Sequence, residues 1–164
     1  MSEGRQVRVF DYVNQPFDRV RTALTEHAAA IFERATSVAG ERAHRLGSAL
    51  RVHFAGMEIR KEIAIEVLGF RELERPASGY AREARISLRW SATEGASVFP
   101  TMEAELALYP LSSSETQLDL TGRYTPPLGA FGAAIDALVG HRVAEACVHQ
   151  FVADVAEQLR RELA

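Results

Sequence analysis

The sequence predicts an α+β protein in which an antiparallel sheet is met by two short helices near its start and one long helix at its end. Three observations predict it. Apolar residues alternate at period two through successive segments between Ser48 and Tyr124, the mark of strands with one face in water. The period changes to that of a helix from about Ile135 to the C-terminus. A shorter stretch of helical spacing separates the first strand from the rest of the sheet.

The elements follow in order. Residues 5–13, RQVRVFDYV, mix β-branched and aromatic residues and form a first strand. Asn14, Gln15 and Pro16 stop it, and Pro16 suits the first turn of a helix. Phe17, Val20 and Leu24 then fall on one helical face, and a second helix over about His27 to Val38 buries Ile31, Phe32 and Ala35. Leu50, Val52 and Phe54 alternate with Arg51 and His53 in the next strand, and Gly56 breaks the phase as a turn or bulge. Ile59, Ile63, Ile65 and Val67 form one face of another, with Glu58, Arg60, Glu62 and Glu66 on the solvated side.

The loop Arg75–Gly79 leads into Ala84, Ile86, Leu88 and Trp90, which alternate with Glu83, Arg85, Ser87 and Arg89. Met102, Ala104, Leu106 and Leu108 repeat the pattern, as do Leu118, Leu120, Gly122 and Tyr124. Turns at Thr93–Ser97 and Ser112–Glu115 join them. After Pro126-Pro127 the chain is helical, with a candidate interruption near Gly140, and carries Val148, Val152, Val155, Leu159 and Leu163 on one side and Arg142, Glu145, Glu157, Arg160 and Arg161 on the other.

Composition narrows the function. The 164 residues suffice for one domain with its own core, and 47% hydrophobic with 25% charged residues is a globular balance. A net charge of −3 offers no cationic surface for a phosphate backbone, so no nucleic-acid partner is expected. The single cysteine, Cys147, excludes an internal disulfide and Cys-rich metal centres, and reads as a small buried residue. No apolar run is long enough to span a bilayer and the N-terminus lacks a signal pattern, so no stable membrane insertion and a cytoplasmic setting are expected. The histidines His27, His44, His53, His141 and His149 show no metal-ligand spacing, and neither metal nor cofactor is expected. Glu145 and His149, four residues apart on a helix, form at most a surface pair.

Two local motifs carry a resemblance. Val13-Asn14-Gln15-Pro16-Phe17-Asp18-Arg19-Val20 passes from strand through proline into a helix, and Tyr124-Thr125-Pro126-Pro127-Leu128-Gly129-Ala130-Phe131-Gly132, running on to Asp136, passes from the last strand into the terminal helix. With the order of elements, they resemble the START-like (SRPBCC) superfamily. The resemblance spans nearly the whole chain and implies one START-like domain over residues 1–164. It implies the helix-grip fold: a curved antiparallel sheet of six to seven strands, two short helices after strand 1, and a long C-terminal helix packed over the concave face. It also implies a hydrophobic cavity between sheet and helix, the usual form of a small-molecule site.

Five residues are candidates to line such a cavity: Lys61, Arg82, Trp90, Met102 and Tyr124. Lys61 shares the parity of Ile59 and Ile63; it either meets a ligand carboxylate or phosphate, acts as a desolvated amine, or snorkels to water. Arg82 shares the parity of Ala84 and either points to the cavity rim, suited to a carboxylate, or is solvated. Trp90 and Met102 lie on apolar faces as pocket wall or plain core. Tyr124 carries a hydroxyl that wants a partner if buried.

No catalytic residue set is legible, and the nucleophile elbow and phosphate-loop motifs are absent. The expected function is binding or carriage of a hydrophobic small molecule or lipid. The alternatives are an aromatase/cyclase-like enzyme acting on a polyketide through cavity shape and a few polar groups, and a protein-interaction module like the superfamily's chaperone activators, which would need an exposed apolar patch. A homodimer is compatible with the sequence.

Overall fold

The computed structural model describes residues 5–35, 63–74, 79, 82–92, 101–125 and 141–164. In chain order these form β1 (Arg5–Val13), α1 (Phe17–Glu26), α2 (28–35), β2 (Ile63–Glu74), β3 (Arg82–Ala92), β4 (Thr101–Pro110), β5 (Thr116–Thr125) and α3 (His141–Glu162). The strands make one curved antiparallel sheet in the order β1-β5-β4-β3-β2, so the first strand closes against the last. Five strands stand among the described residues, fewer than the six to seven expected; the strand read over Leu50–Phe54 lies outside them.

Period-two sequence translates directly into register. Val9, Leu120, Leu106 and Ile86 stand opposite one another across four strands, and all four are buried. The next inward row runs Val7, Gly122, Ala104, Leu88, Val67, and the one beyond it Tyr124, Met102, Trp90, Ile65. These rows are the concave face. Each fully buried aliphatic or aromatic side chain contributes roughly 1.5–3 kcal/mol, which makes this face the main source of cohesion.

β2 departs from the expected pattern. It continues as one strand to Glu74, and its register against β3 shifts between Val67 and Gly69. The extra residue, Leu68, inverts the side-chain parity, so that Phe70 stands opposite inward-facing Ile86 and Glu72 opposite Ala84.

Pro16 sits at the N-cap of α1, where its carbonyl accepts from Arg19 N (3.0 Å) and Val20 N (3.2 Å). Phe17, Val20, Ala23 and Leu24 form the buried stripe. His27 breaks the helix (φ −120°, ψ 18°), and its carbonyl receives Ile31 N–H to start α2. Ile31, Phe32 and Ala35 are buried as the spacing predicts.

α3 buries Val148, Phe151, Val152, Val155, Ala156 and Leu159 and lies along β1, with lighter contact to β5. Arg160 fastens it: its guanidinium donates to the Tyr12 carbonyl (2.7 Å) and to Asp11 Oδ1 (3.4 Å), while the Tyr12 N–H donates to that same carboxylate oxygen (2.7 Å). Both backbone groups of Tyr12 are thereby occupied by side chains, which blunts β1 against pairing with another strand. The side chain of Cys147 lies outside the described residues.

Candidate functional site

On the concave face, β3 meets α3 through an aromatic contact. Trp90 packs on Phe151 of α3 with ring centroids 5.3 Å apart and planes inclined at 53°, and Phe151 in turn meets Phe32 of α2 at 5.9 Å. Such tilted contacts are favourable for aromatic quadrupoles. Trp90 is only 4% exposed, and its buried indole Nε1 finds no hydrogen-bond partner among the described residues. An unmade bond of this kind costs about 1–3 kcal/mol, so the position is unusual for a side chain serving as core alone.

Met102 stands opposite Trp90 on one side and Tyr124 on the other. Both Met102 and Tyr124 are buried. Three of the five sequence candidates therefore share one row of the concave face. Toward β2 that face opens: Ile65 is half-buried, while Val67 (44% exposed) and Phe70 (39%) reach solvent although their strand register places them on the inner side.

Arg82 takes a different position from its row-mates. Its guanidinium donates to Asp18 Oδ1 of α1 (2.9 Å) and Glu72 Oε1 of β2 (2.7 Å), and lies 4.8 Å above the Phe17 ring. Arg21 completes the group, donating to Glu72 Oε2 (3.1 Å) and standing 3.5 Å from Asp18. Two guanidinium and two carboxylate groups cancel, so Arg82 is tied to protein carboxylates. The hydrogen bond from Arg82, then the nearby Arg21 charge, hold the Glu72 carboxyl below its ordinary value. Lys61 lies outside the described residues.

The convex face holds what the alternation did not reveal. Glu83 (0% exposed) and Asp119 (2%) were expected in water on a polar face. Long side chains lie over them, from the same strand at Glu83 and from other strands at Asp119. Arg8 grips Asp119 through Nε (3.1 Å) and Nη2 (2.6 Å), and the Tyr109 hydroxyl donates to Asp119 Oδ2 (2.9 Å). Arg85 joins Glu83 to Glu105 (2.7 Å), which also accepts from Arg71 (2.8 Å). Burial first, then Asp119, push the Tyr109 phenol well above its ordinary value.

A shallow groove of about 390 Å³, bordered by Ser87, Glu103, Glu105, Thr121 and Arg123, also lies on this convex side and is open to solvent. Phe10 (63% exposed) and Tyr12 project from the same face of β1. Among the described residues, no cluster of three metal-ligating side chains occurs and no helix is long and apolar enough to cross a membrane.

A concave antiparallel sheet that grips a C-terminal helix over an apolar, aromatic-lined face defines a helix-grip protein. The architecture is the START-like (SRPBCC) fold, as the strand–proline–helix motifs predict. Two solved structures share it over nearly their whole length. The Thermus thermophilus protein TTHA0849 superposes with a TM-score of 0.54 at 16% identity, covering 98% of this chain and 100% of the other. The Zhui aromatase/cyclase of a Streptomyces species superposes with a TM-score of 0.50 at 18% identity, covering 98% of this chain and 96% of its own. No protein-family model and no curated protein matches the sequence.

Proposed function

We propose that this protein binds a hydrophobic small molecule or lipid on the concave face of its sheet, beside α3. The observation that carries the reading is the pairing of an orphan donor with an open apolar rim. Trp90 Nε1 is buried and has no partner among the described residues, and Val67 and Phe70 stand opposite inward-facing residues yet are exposed. Apolar walls with a few placed polar groups are what a small-molecule site requires. Trp90, Met102 and Tyr124 line it in this reading. Lys61 is proposed at the same face by its parity with Ile59 and Ile63, and Arg82 at the rim as part of an ion cluster rather than as a free ligand group.

The test is native mass spectrometry of the purified protein, with solvent extraction, beside titration by an uncharged dye that fluoresces in apolar surroundings. Trp90 is the only tryptophan, so its emission reports occupancy of the site directly. A bound mass lost on denaturation, or saturable dye binding that alters Trp90 emission, is expected. A bare mass together with no dye binding overturns the reading in favour of an interaction module, for which Phe10 and Tyr12 supply an exposed apolar pair.

The second reading is an aromatase/cyclase-like enzyme. It draws on the likeness in fold to Zhui and on the Tyr124 hydroxyl in the same row as Trp90. Turnover of a poly-β-ketone surrogate that survives in Arg82→Met but is lost in Tyr124→Phe and Lys61→Met would favour it. Fold alone does not decide between binder and enzyme.

A further inference from the structure

We infer that Trp90 is the specificity-determining donor of the site, and that the ligand presents one uncharged oxygen acceptor to Trp90 Nε1. This inference rests on the small-molecule reading above. The chemistry of the acceptor follows from what surrounds the indole. Across the sheet Trp90 is flanked by Ile65 on β2 and Met102 on β4, with Leu88 two residues before it on the same face. Above it stands Phe151, backed by Phe32. These described neighbours are apolar, and none of them supplies a positive charge.

A carboxylate or phosphate brought here would leave water for a single neutral N–H, and the desolvation of a buried anion far exceeds one such bond. A ketone, ester, ether or hydroxyl oxygen loses much less on burial and needs only the one donor that the protein holds ready. Of the described cations on the inner parity, Arg82 is committed to Asp18 and Glu72, and Arg5, opposite Tyr124, is not free either. At Trp90 itself a carboxylate is therefore disfavoured by the same geometry that favours a neutral carbonyl oxygen. The rings of Phe151 and Phe32 suit a flat body on that acceptor.

The experiment uses the intact protein and three probes of one shape: methyl naphthyl ketone, ethylnaphthalene and naphthoate. Affinities come from Trp90 fluorescence, and the one indole N–H signal in a ¹⁵N-correlated spectrum reports its hydrogen bond. The ketone is expected to bind about tenfold more tightly than the hydrocarbon, the worth of one buried hydrogen bond. It should also move the indole proton downfield, which the hydrocarbon should not. In Trp90→Phe, which has no tryptophan and is read by titration calorimetry instead, the two probes should bind alike.

Equal affinity for ketone and hydrocarbon, or a preference for the ketone with an unmoved indole signal, overturns the role of Trp90 while the apolar site stands. Tightest binding by naphthoate overturns the uncharged acceptor. Binding of none of the three overturns this inference and the small-molecule reading together. Should Trp90→Phe fail to fold, the indole signal of the native protein still decides the matter.

Discussion

Met102 lies across Gly122: a β-carbon on residue 122 would stand 2.7 Å from the Met102 sulfur and 3.2 Å from its Cγ. The two residues sit on adjacent strands, and the missing side chain of Gly122 is what lets the thioether lie flat on the concave face. Gly122→Ala should therefore destabilise by about 1–3 kcal/mol, as overpacking does, even though alanine is the better strand residue. In a Met102→Ala background the same substitution should be neutral or stabilising. Urea denaturation of the four proteins of this cycle measures the coupling. Additive effects would mean that Met102 swings away freely and that the close approach has no consequence.

Phe151 is the shared contact of Trp90 and Phe32, and so joins sheet, α2 and α3 in one place. Phe151→Ala should cost about 3–5 kcal/mol and shift Trp90 emission to the red as water reaches the indole. Phe10→Ala, on the exposed convex side, should change stability by less than about 0.5 kcal/mol. Chemical denaturation with fluorescence detection compares them. An unchanged emission maximum in Phe151→Ala would show that other groups keep Trp90 dry.

The parts of the fold that were legible in the sequence are those a single strand or helix states by itself. Ala84, Ile86, Leu88 and Trp90 declare β3, and Phe17, Val20 and Leu24 declare α1, because burial of one face imposes the period directly. Relations between strands were not legible. The bulge at Leu68 is marked only by Gly69 beside it, yet it turns Phe70 and Glu72 to the face that Arg71 would otherwise hold. Glu83 and Asp119 alternate as surface residues do. Their burial comes from Arg85, Arg8 and Tyr109, of which Arg8 and Tyr109 reach over from other strands. Likewise Arg82 could be placed on the inner parity, but its neutralisation by Asp18 and Glu72 depends on three elements meeting at one end of the sheet.

That meeting point has a pH signature. The folded protein holds the Glu72 carboxyl below its ordinary value, so folding is favoured by this group above the unfolded carboxylate range and the contribution is lost as pH falls through the folded value. Thermal stability should decline below about pH 4, and Glu72→Gln should flatten that limb. The cluster is solvent-accessible, so the effect at neutral pH should stay under about 1 kcal/mol and shrink in high salt. Scanning Tm against pH for both proteins tests it. Superimposable acid limbs would assign the decline to other carboxylates.

Tyr109 gives the opposite, alkaline signature. Its hydroxyl donates to the buried Asp119 carboxylate, and a phenolate there would be desolvated and face the charges of Asp119 and Glu83. The folded state therefore keeps its proton at a pH where the unfolded chain releases it. The contribution is complete below about pH 10 and falls as pH rises beyond that. Tyr109→Phe should lose about 1–3 kcal/mol at neutral pH, because buried Asp119 is left with Arg8 as its remaining side-chain donor. Above pH 10 the deficit should narrow, since the variant has no phenol to ionise. Urea denaturation of both proteins at neutral and alkaline pH reads the difference. A deficit that stays constant across this range would mean that Tyr109 titrates in the folded protein as it does in the unfolded chain, and that the convex face is no drier than its alternation implied.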